Sequence, residues 1–235
     1  MEYSILPLSE DAILIQFGNN NQNLKAKIQE IKKVIYTLQT FPFNGFREVV
    51  PAYNTITVYY DPFIINDIFP FQTVKKQLET ILQSSNYVNK EQSRIFEIPV
   101  CYEDEFSPDI NELAASKELT VDEVIHLHTN VIYDVVFIGF SPGFPFLSGL
   151  DEKLFFPRKT SPRLKVVQGS VGIAGKQTGI YPLDSPGGWQ IIGRTPVKLF
   201  NFHHKIPTLF QAGDQIKFYP ITNKEYFQWE EKPWE

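Results

Sequence analysis

Three observations make this sequence an α+β protein of two folding units. Ten of the thirteen glycines and six of the seventeen prolines lie between Gly139 and Gly193, whereas the first hundred residues hold only Gly18 and Gly45. Before that shift, apolar residues recur at alternating strand and helix periods; after it, short Val/Ile/Phe runs are cut by Gly/Pro turns. The third observation is length, since 235 residues are enough for two separate cores. The expected division is 1–92 and 93–235.

The elements follow in order. Ala12–Phe17 alternates as a strand, and Asn19–Asn23 reads as a polar turn. Leu24, Ile28, Ile31, Val34, Ile35 and Leu38 recur at helical spacing. Phe46–Pro51 and Thr55–Tyr60 read as strands joined at Tyr53-Asn54. Val74, Leu78, Ile81 and Leu82 mark a second amphipathic helix, and Arg94–Val100 a closing strand. The order β-α-β-β-α-β is the split, ferredoxin-like arrangement. Nothing in this unit reads as catalytic, and Arg47 and Glu48 read as solvated surface.

Next, Ser107-Pro108 reads as a helix start, with the hydroxyl as N-cap and proline at the first helical position. Thr120 and Glu123 form a capping box, with Leu119 and Val124 as its hydrophobic staple, for a helix running to about Asn130. Ile132–Phe140 is an apolar strand, and the remainder reads as a β-barrel or sandwich.

Composition removes several function classes. The chain is 43% hydrophobic and 21% charged with formal net charge -5, the profile of an ordinary globular protein without a basic nucleic-acid footprint. One cysteine, Cys101, excludes an internal disulfide and a multi-cysteine zinc site. The first residues lack the basic and apolar regions of a signal peptide, and no apolar run approaches the ~20 residues of a membrane span, so the expected location is the cytoplasm.

Several motifs fail on physical grounds. Gly139-Phe140-Ser141-Pro142-Gly143 fits the serine-hydrolase elbow pattern, yet that mechanism needs an N–H after the serine and Pro142 has none. The run Gly169–Gln177 breaks P-loop spacing, with Ser170 in place of the first glycine and Gln177 in place of the magnesium-holding hydroxyl residue. It does not fit the dinucleotide fingerprint either. His126 and His128 lie roughly 200° apart around a helix, and His203 and His204, read as strand neighbours, point apart, so no metal site is expected. The aromatic content fits core filling better than base stacking.

What survives is a set of polar groups among glycine turns. Arg158 and Arg163 each follow a proline, and Gln177-Thr178 follow Gly175. Pro186-Gly187-Gly188-Trp189 leads toward Arg194. Guanidinium groups recognise planar carboxylates or phosphates through paired hydrogen bonds, glutamine serves an amide edge, and glycine lets backbone N–H groups approach an anion. Two readings stand on the residues alone: barrel corners whose arginines satisfy carbonyls, and an anion pocket.

The pieces Gly139–Phe144, Pro157-Arg158, Pro162-Arg163, Gly169-Ser170-Val171, Gly175–Pro182, Ser185–Trp189 and Ile192–Pro196 resemble, in order, the KipI/PxpB family, also known as allophanate hydrolase subunit 1. Val50–Asn54 and Tyr60-Asp61-Pro62 resemble its N-terminal signature, and Gln168 stands where the family usually has alanine. The resemblance implies a ferredoxin-like domain followed by a cyclophilin-like β-barrel. It also implies a role as the PxpB component of an ATP-dependent 5-oxoprolinase, working with PxpC-like and PxpA-like subunits to open the lactam of 5-oxoproline to L-glutamate. The family's other roles are one half of a biotin-dependent carboxyltransferase and inhibition of a histidine kinase. For the lactam reaction, the expected residues are Arg158 or Arg163 on the substrate carboxylate or a phosphoryl group, and Gln177 and Thr178 on the amide edge. Arg194 is expected on developing charge, His128 as proton carrier, and Gly175, Gly187 and Gly188 as backbone anion loops. ATP is the expected co-substrate; no bound organic cofactor is expected.

Overall fold

A computed structural model of the chain describes residues 2–18, 24–83 and 94–230; the Asn19–Asn23 stretch lies outside them. It divides into two compact units, Met1–Gln92 and Ser93–Glu235.

The first unit contains β1 (Tyr3–Ser9), β2 (Ala12–Phe17), α1 (Leu24–Thr40), β3 (Phe46–Pro51), β4 (Thr55–Tyr60), α2 (Pro62–Ile65) and α3 (Pro70–Gln83). The strands form an antiparallel sheet in the order β1-β2-β4-β3. Alternation along β2 and β4 turns Ile13, Ile15, Ile56 and Val58 inward, where they meet Ile31, Val34 and Leu38 of α1 and Val74 and Leu78 of α3. Asp61 accepts from the backbone N–H groups of Phe63 and Ile64, capping α2, and receives Arg47 at 2.7 Å.

This order differs from the expected β-α-β-β-α-β and does not bear out the ferredoxin-like arrangement: among the described residues it runs β-β-α-β-β-α-α. The first strand escapes a periodicity reading because only Ile5 along β1 is buried, so an edge strand leaves no alternating signal. The strand expected to close the unit belongs to the second unit instead. Periodicity identifies a strand without naming the sheet it joins.

That second unit holds β5 (Ile95–Cys101), α4 (Ile110–Ser116), α5 (Val121–Thr129), β6 (Ile132–Ile138), β7 (Pro145–Ser148), β8 (Arg163–Val166) and β9 (Ser170–Ala174). It continues with β10 (Gln177–Ile180), β11 (Ser185–Gly187), β12 (Gln190–Arg194), β13 (Gln215–Ile221) and α6 (Asn223–Phe227). Seven strands close a barrel in the order β10-β7-β6-β13-β5-β12-β9, consistent with a cyclophilin-like barrel. β5 pairs in parallel with β13 from Ile95↔Gln215 to Cys101↔Ile221. β8 and β11 form a separate two-stranded ribbon. Every residue of β9 is buried, so it reads as a continuous core strand, and the glycine run after it is a hairpin into β10.

The capping box at Thr120 and Glu123 starts α5, both of its bonds being present. The Ser107 cap is a correction. The Ser107 hydroxyl donates to the Tyr102 carbonyl at 2.6 Å, and Asp109 stands at the N-cap of α4 without making a side-chain cap bond. No helix among the described residues is long and apolar enough to cross a membrane.

Candidate functional site

The β8–β11 ribbon places Arg163 opposite Gly187, beside a buried aromatic group of Phe144, Tyr181 and Trp189. Arg163 Nη2 donates to Asp109 Oδ1 at 2.6 Å, and Lys159 Nζ lies 2.9 Å from the same oxygen. The other oxygen, Oδ2, accepts the Ile191 backbone N–H at 2.6 Å, while the Asp109 N–H donates to the Ile191 carbonyl at 3.0 Å. Burial pushes the Asp109 carboxyl up, but the bonds from Arg163, Lys159 and Ile191 outweigh it and hold the group below its ordinary value. One carboxylate thus faces two cations.

Arg158 adds a third positive group, its guanidinium 5.9 Å from the centre of the Trp189 ring. Tyr181 lies within the field of both arginines. Burial raises its pKa, and the Trp189 backbone N–H and the two guanidinium charges offset part of that rise. A Cβ at Gly187 would collide with the Tyr181 hydroxyl, so glycine there permits the ribbon to close on the tyrosine. Gly188 accepts the Lys159 N–H through its carbonyl at 2.7 Å.

Three buried polar atoms on these elements have no hydrogen-bond partner: Arg163 Nη1, Ser185 Oγ and Gln190 Oε1. The Gln190 amide nitrogen donates to Pro157 O at 3.0 Å, leaving its oxygen over. Leaving a buried donor or acceptor unmade costs about 1–3 kcal/mol, so each of the three, on β8, β11 and β12, carries a burial cost that the protein's own bonds do not offset. Phe140 adds to this. It is 67% exposed, sits at φ +68 where non-glycine residues are uncommon, and meets Phe144 and Tyr181 edge-on.

The remaining expected residues lie elsewhere. His128 is fully buried, stacked 4.7 Å from Phe218. Thr178 donates to the Gly172 carbonyl at 3.0 Å, so its oxygen accepts from His128 Nε2 at 3.0 Å. His128 Nδ1 then accepts from the Tyr102 hydroxyl at 2.8 Å. Burial pushes the His128 pKa down to about 3, which makes the imidazole a neutral core link rather than the expected proton carrier. Thr178 is likewise closed inside the core.

Gly175, at φ +61, forms the β9–β10 turn, but its N–H donates to Phe156 O at 2.7 Å and is therefore unavailable to an anion. Gln177 opens β10 opposite Ala174. Arg194 lies four residues beyond Gln190, about 13 Å along β12. Its Nε donates to the Gln168 carbonyl at 2.8 Å and its guanidinium lies over Tyr226, the behaviour of an arginine satisfying a barrel corner.

The structure therefore gathers Arg158, Arg163, Gly187 and Gly188, and adds Asp109, Lys159, Tyr181 and Gln190, which sequence reasoning did not single out. Only the polar insertion of Asp109 before an apolar helix hinted at it. Ser141, in the elbow-like motif, is followed by β7 rather than a helix, and its hydroxyl is buried without a partner. A separate cleft of about 670 Å³ carries Glu103, Asp122 and Glu225, a lining that repels an acid. Among the described residues, no group of three or more His, Cys, Asp or Glu is placed to hold a metal ion.

A family model described as carboxyltransferase domain, subdomain C and D, matches residues 3–210. The chain is 41% identical over 239 residues to the B component of 5-oxoprolinase from Bacillus subtilis (strain 168), covering 99% of this chain and 98% of that protein. A urea amidolyase of Lachancea kluyveri is 28% identical over 91% of this chain, which spans only 13% of it. The crystal structure of TTHA0988 matches with a TM-score of 0.74 and 32% identity over 90% of this chain, corresponding to 40% of that longer chain.

Proposed function

This chain belongs to the carboxyltransferase subdomain C and D family, and on that premise we propose that it serves as the PxpB component of an ATP-dependent 5-oxoprolinase. In this role it binds 5-oxoproline and works in the cytoplasm with PxpA-like and PxpC-like subunits. The reading is supported by the relative that shares 41% of its residues over nearly its full length. The single structural observation behind the site is the buried, unpartnered Nη1 of Arg163 beside a surplus of positive charge.

The chemistry fits that arrangement. A lactam is a stable amide, and phosphorylating its oxygen with ATP makes the ring carbon electrophilic, so that water adds there, the C–N bond breaks with a proton passing to nitrogen, and phosphate departs when the resulting acyl phosphate is hydrolysed. Such a reaction needs positioning and charge stabilisation more than a protein nucleophile. In this chain, Arg163 Nη1 binds the substrate carboxylate, with Arg158 as the second cation. The amide edge of the ring faces Gln190 Oε1, an acceptor for the lactam N–H, and Ser185 Oγ, which both donates and accepts. Phe140 and Trp189 supply the apolar walls for the ring carbons. Gln177 remains available at the margin, whereas Arg194 and His128 act through the barrel frame.

The urea amidolyase relative motivates a second reading, one half of a carboxyltransferase. Reconstitution with the partner subunits separates the two. Turnover of 5-oxoproline that requires ATP, without biotin or bicarbonate, supports the first. Activity that needs a biotinylated partner and bicarbonate overturns it.

A further inference from the structure

We infer that Asp109 is a positioning residue that aims the Arg163 guanidinium at the substrate carboxylate; this rests on the oxoprolinase reading above. Asp109 is 2% exposed, and its placement is costly unless it is paired. It stands where an aspartate would ordinarily cap α4, at φ −112 and ψ −3, yet makes no cap bond. Its carboxylate instead reaches across the fold to Arg163, Lys159 and the Ile191 N–H.

Guanidinium planarity gives this arrangement its consequence. With Nη2 held at 2.6 Å by Oδ1, the direction of Nη1 is set, because the nitrogens share one rigid plane. Nη1 is then a buried donor with no protein acceptor. The reciprocal pair of bonds between Asp109 and Ile191 fixes the carboxylate itself to β12. Lys159 shares Oδ1 and also lies 3.5 Å from the exposed Glu112, so Lys159 and Arg163 balance the two carboxylates, and the surplus positive charge of the group is that of Arg158. A carboxylic acid ligand completes the fork that Asp109 leaves half-filled.

The test uses the complex reconstituted with its partner subunits. Asp109→Asn keeps the volume and an acceptor oxygen for Ile191 but removes the charge that holds Arg163. The expected result is a rise in KM for 5-oxoproline of about tenfold, with kcat within about twofold and KM for ATP unchanged. In an Arg163→Lys background the same change adds no further rise, because the two residues act as one unit. A purely structural role would lower Tm and leave KM unchanged, or give additive effects in the double variant; either overturns the inference. If Asp109→Asn does not assemble, Asp109→Glu serves: its longer arm displaces Arg163 and raises KM, and an unchanged KM again overturns the inference. Arg163→Ala separates the two levels. Full turnover in that variant defeats the site itself, whereas lost turnover with an unaltered Asp109→Asn KM defeats only the positioning role.

Discussion

The barrel unit carries two polar networks of opposite character. Tyr102, His128 and Thr178 form a neutral chain closed inside the core, in which every polar hydrogen finds an acceptor. Asp109, Lys159, Arg158 and Arg163 form a charged group at the β8–β11 ribbon, with surplus positive charge and a spare donor. The first network is satisfied by the protein alone. The second keeps a buried donor without a protein acceptor, and on the proposed reading that unmet bonding capacity, rather than the presence of a histidine or an arginine, separates function from framework.

Disrupting the charged network should have the largest effect. Arg163→Ala should abolish ATP-coupled lactam hydrolysis by the reconstituted complex, a loss of more than about a hundredfold in kcat/KM, while circular dichroism shows a folded subunit. Turnover assays check it, and wild-type rates would erase the contrast between the networks.

Disrupting the neutral network should reduce stability. His128→Ala opens a cavity and strands the Tyr102 hydroxyl, for an expected loss of about 2–4 kcal/mol in denaturant unfolding. The native pH dependence has the same origin. Below the ordinary histidine value of 6.5 the unfolded chain takes up a proton at His128, while in the folded chain that imidazole stays neutral down to about pH 3. Stability contributed by this residue is therefore full above pH 6.5 and falls as pH drops, by about 1.4 kcal/mol per pH unit until roughly pH 3. His128→Gln should flatten that slope; an unchanged slope would show that the histidine is not buried neutral.

Two glycines sharpen the contrast further. Gly187→Ala pushes a methyl group into the Tyr181 hydroxyl and should cost about 1–3 kcal/mol along with lactam turnover. Gly175→Ala meets nothing within 4 Å, and only its φ of +61 resists the side chain. About 1 kcal/mol in Tm-derived stability and unaltered turnover are expected there, since the Gly175 N–H is already bound to Phe156. Equal effects on activity at the two glycines would argue against the ribbon as the site.

Much of this molecule is legible along the chain alone. The helix from Val121 follows from Thr120 and Glu123 because a capping box is local, closing within three residues. The β-rich character of the second half follows from the density of glycine and proline turns. Arg158 and Arg163 can be singled out by residue type, but their distinction from Arg194 cannot. All three arginines follow a proline or a glycine, and only the fold shows that one meets a backbone carbonyl while another keeps a free donor. His128 misleads for the same reason, since a polar helix end and a buried core link look alike in one dimension.

Residue preferences along the chain set where helices begin, where strands alternate and where the chain turns, because they act over a few neighbouring residues. Long-range packing alone makes β5 pair with β13, and sends the Asp109 side chain past its helix cap to Arg163, 54 residues away, and Ile191, 82 residues away. Pairing across such distances depends on which surfaces burial brings together, and no local preference encodes it.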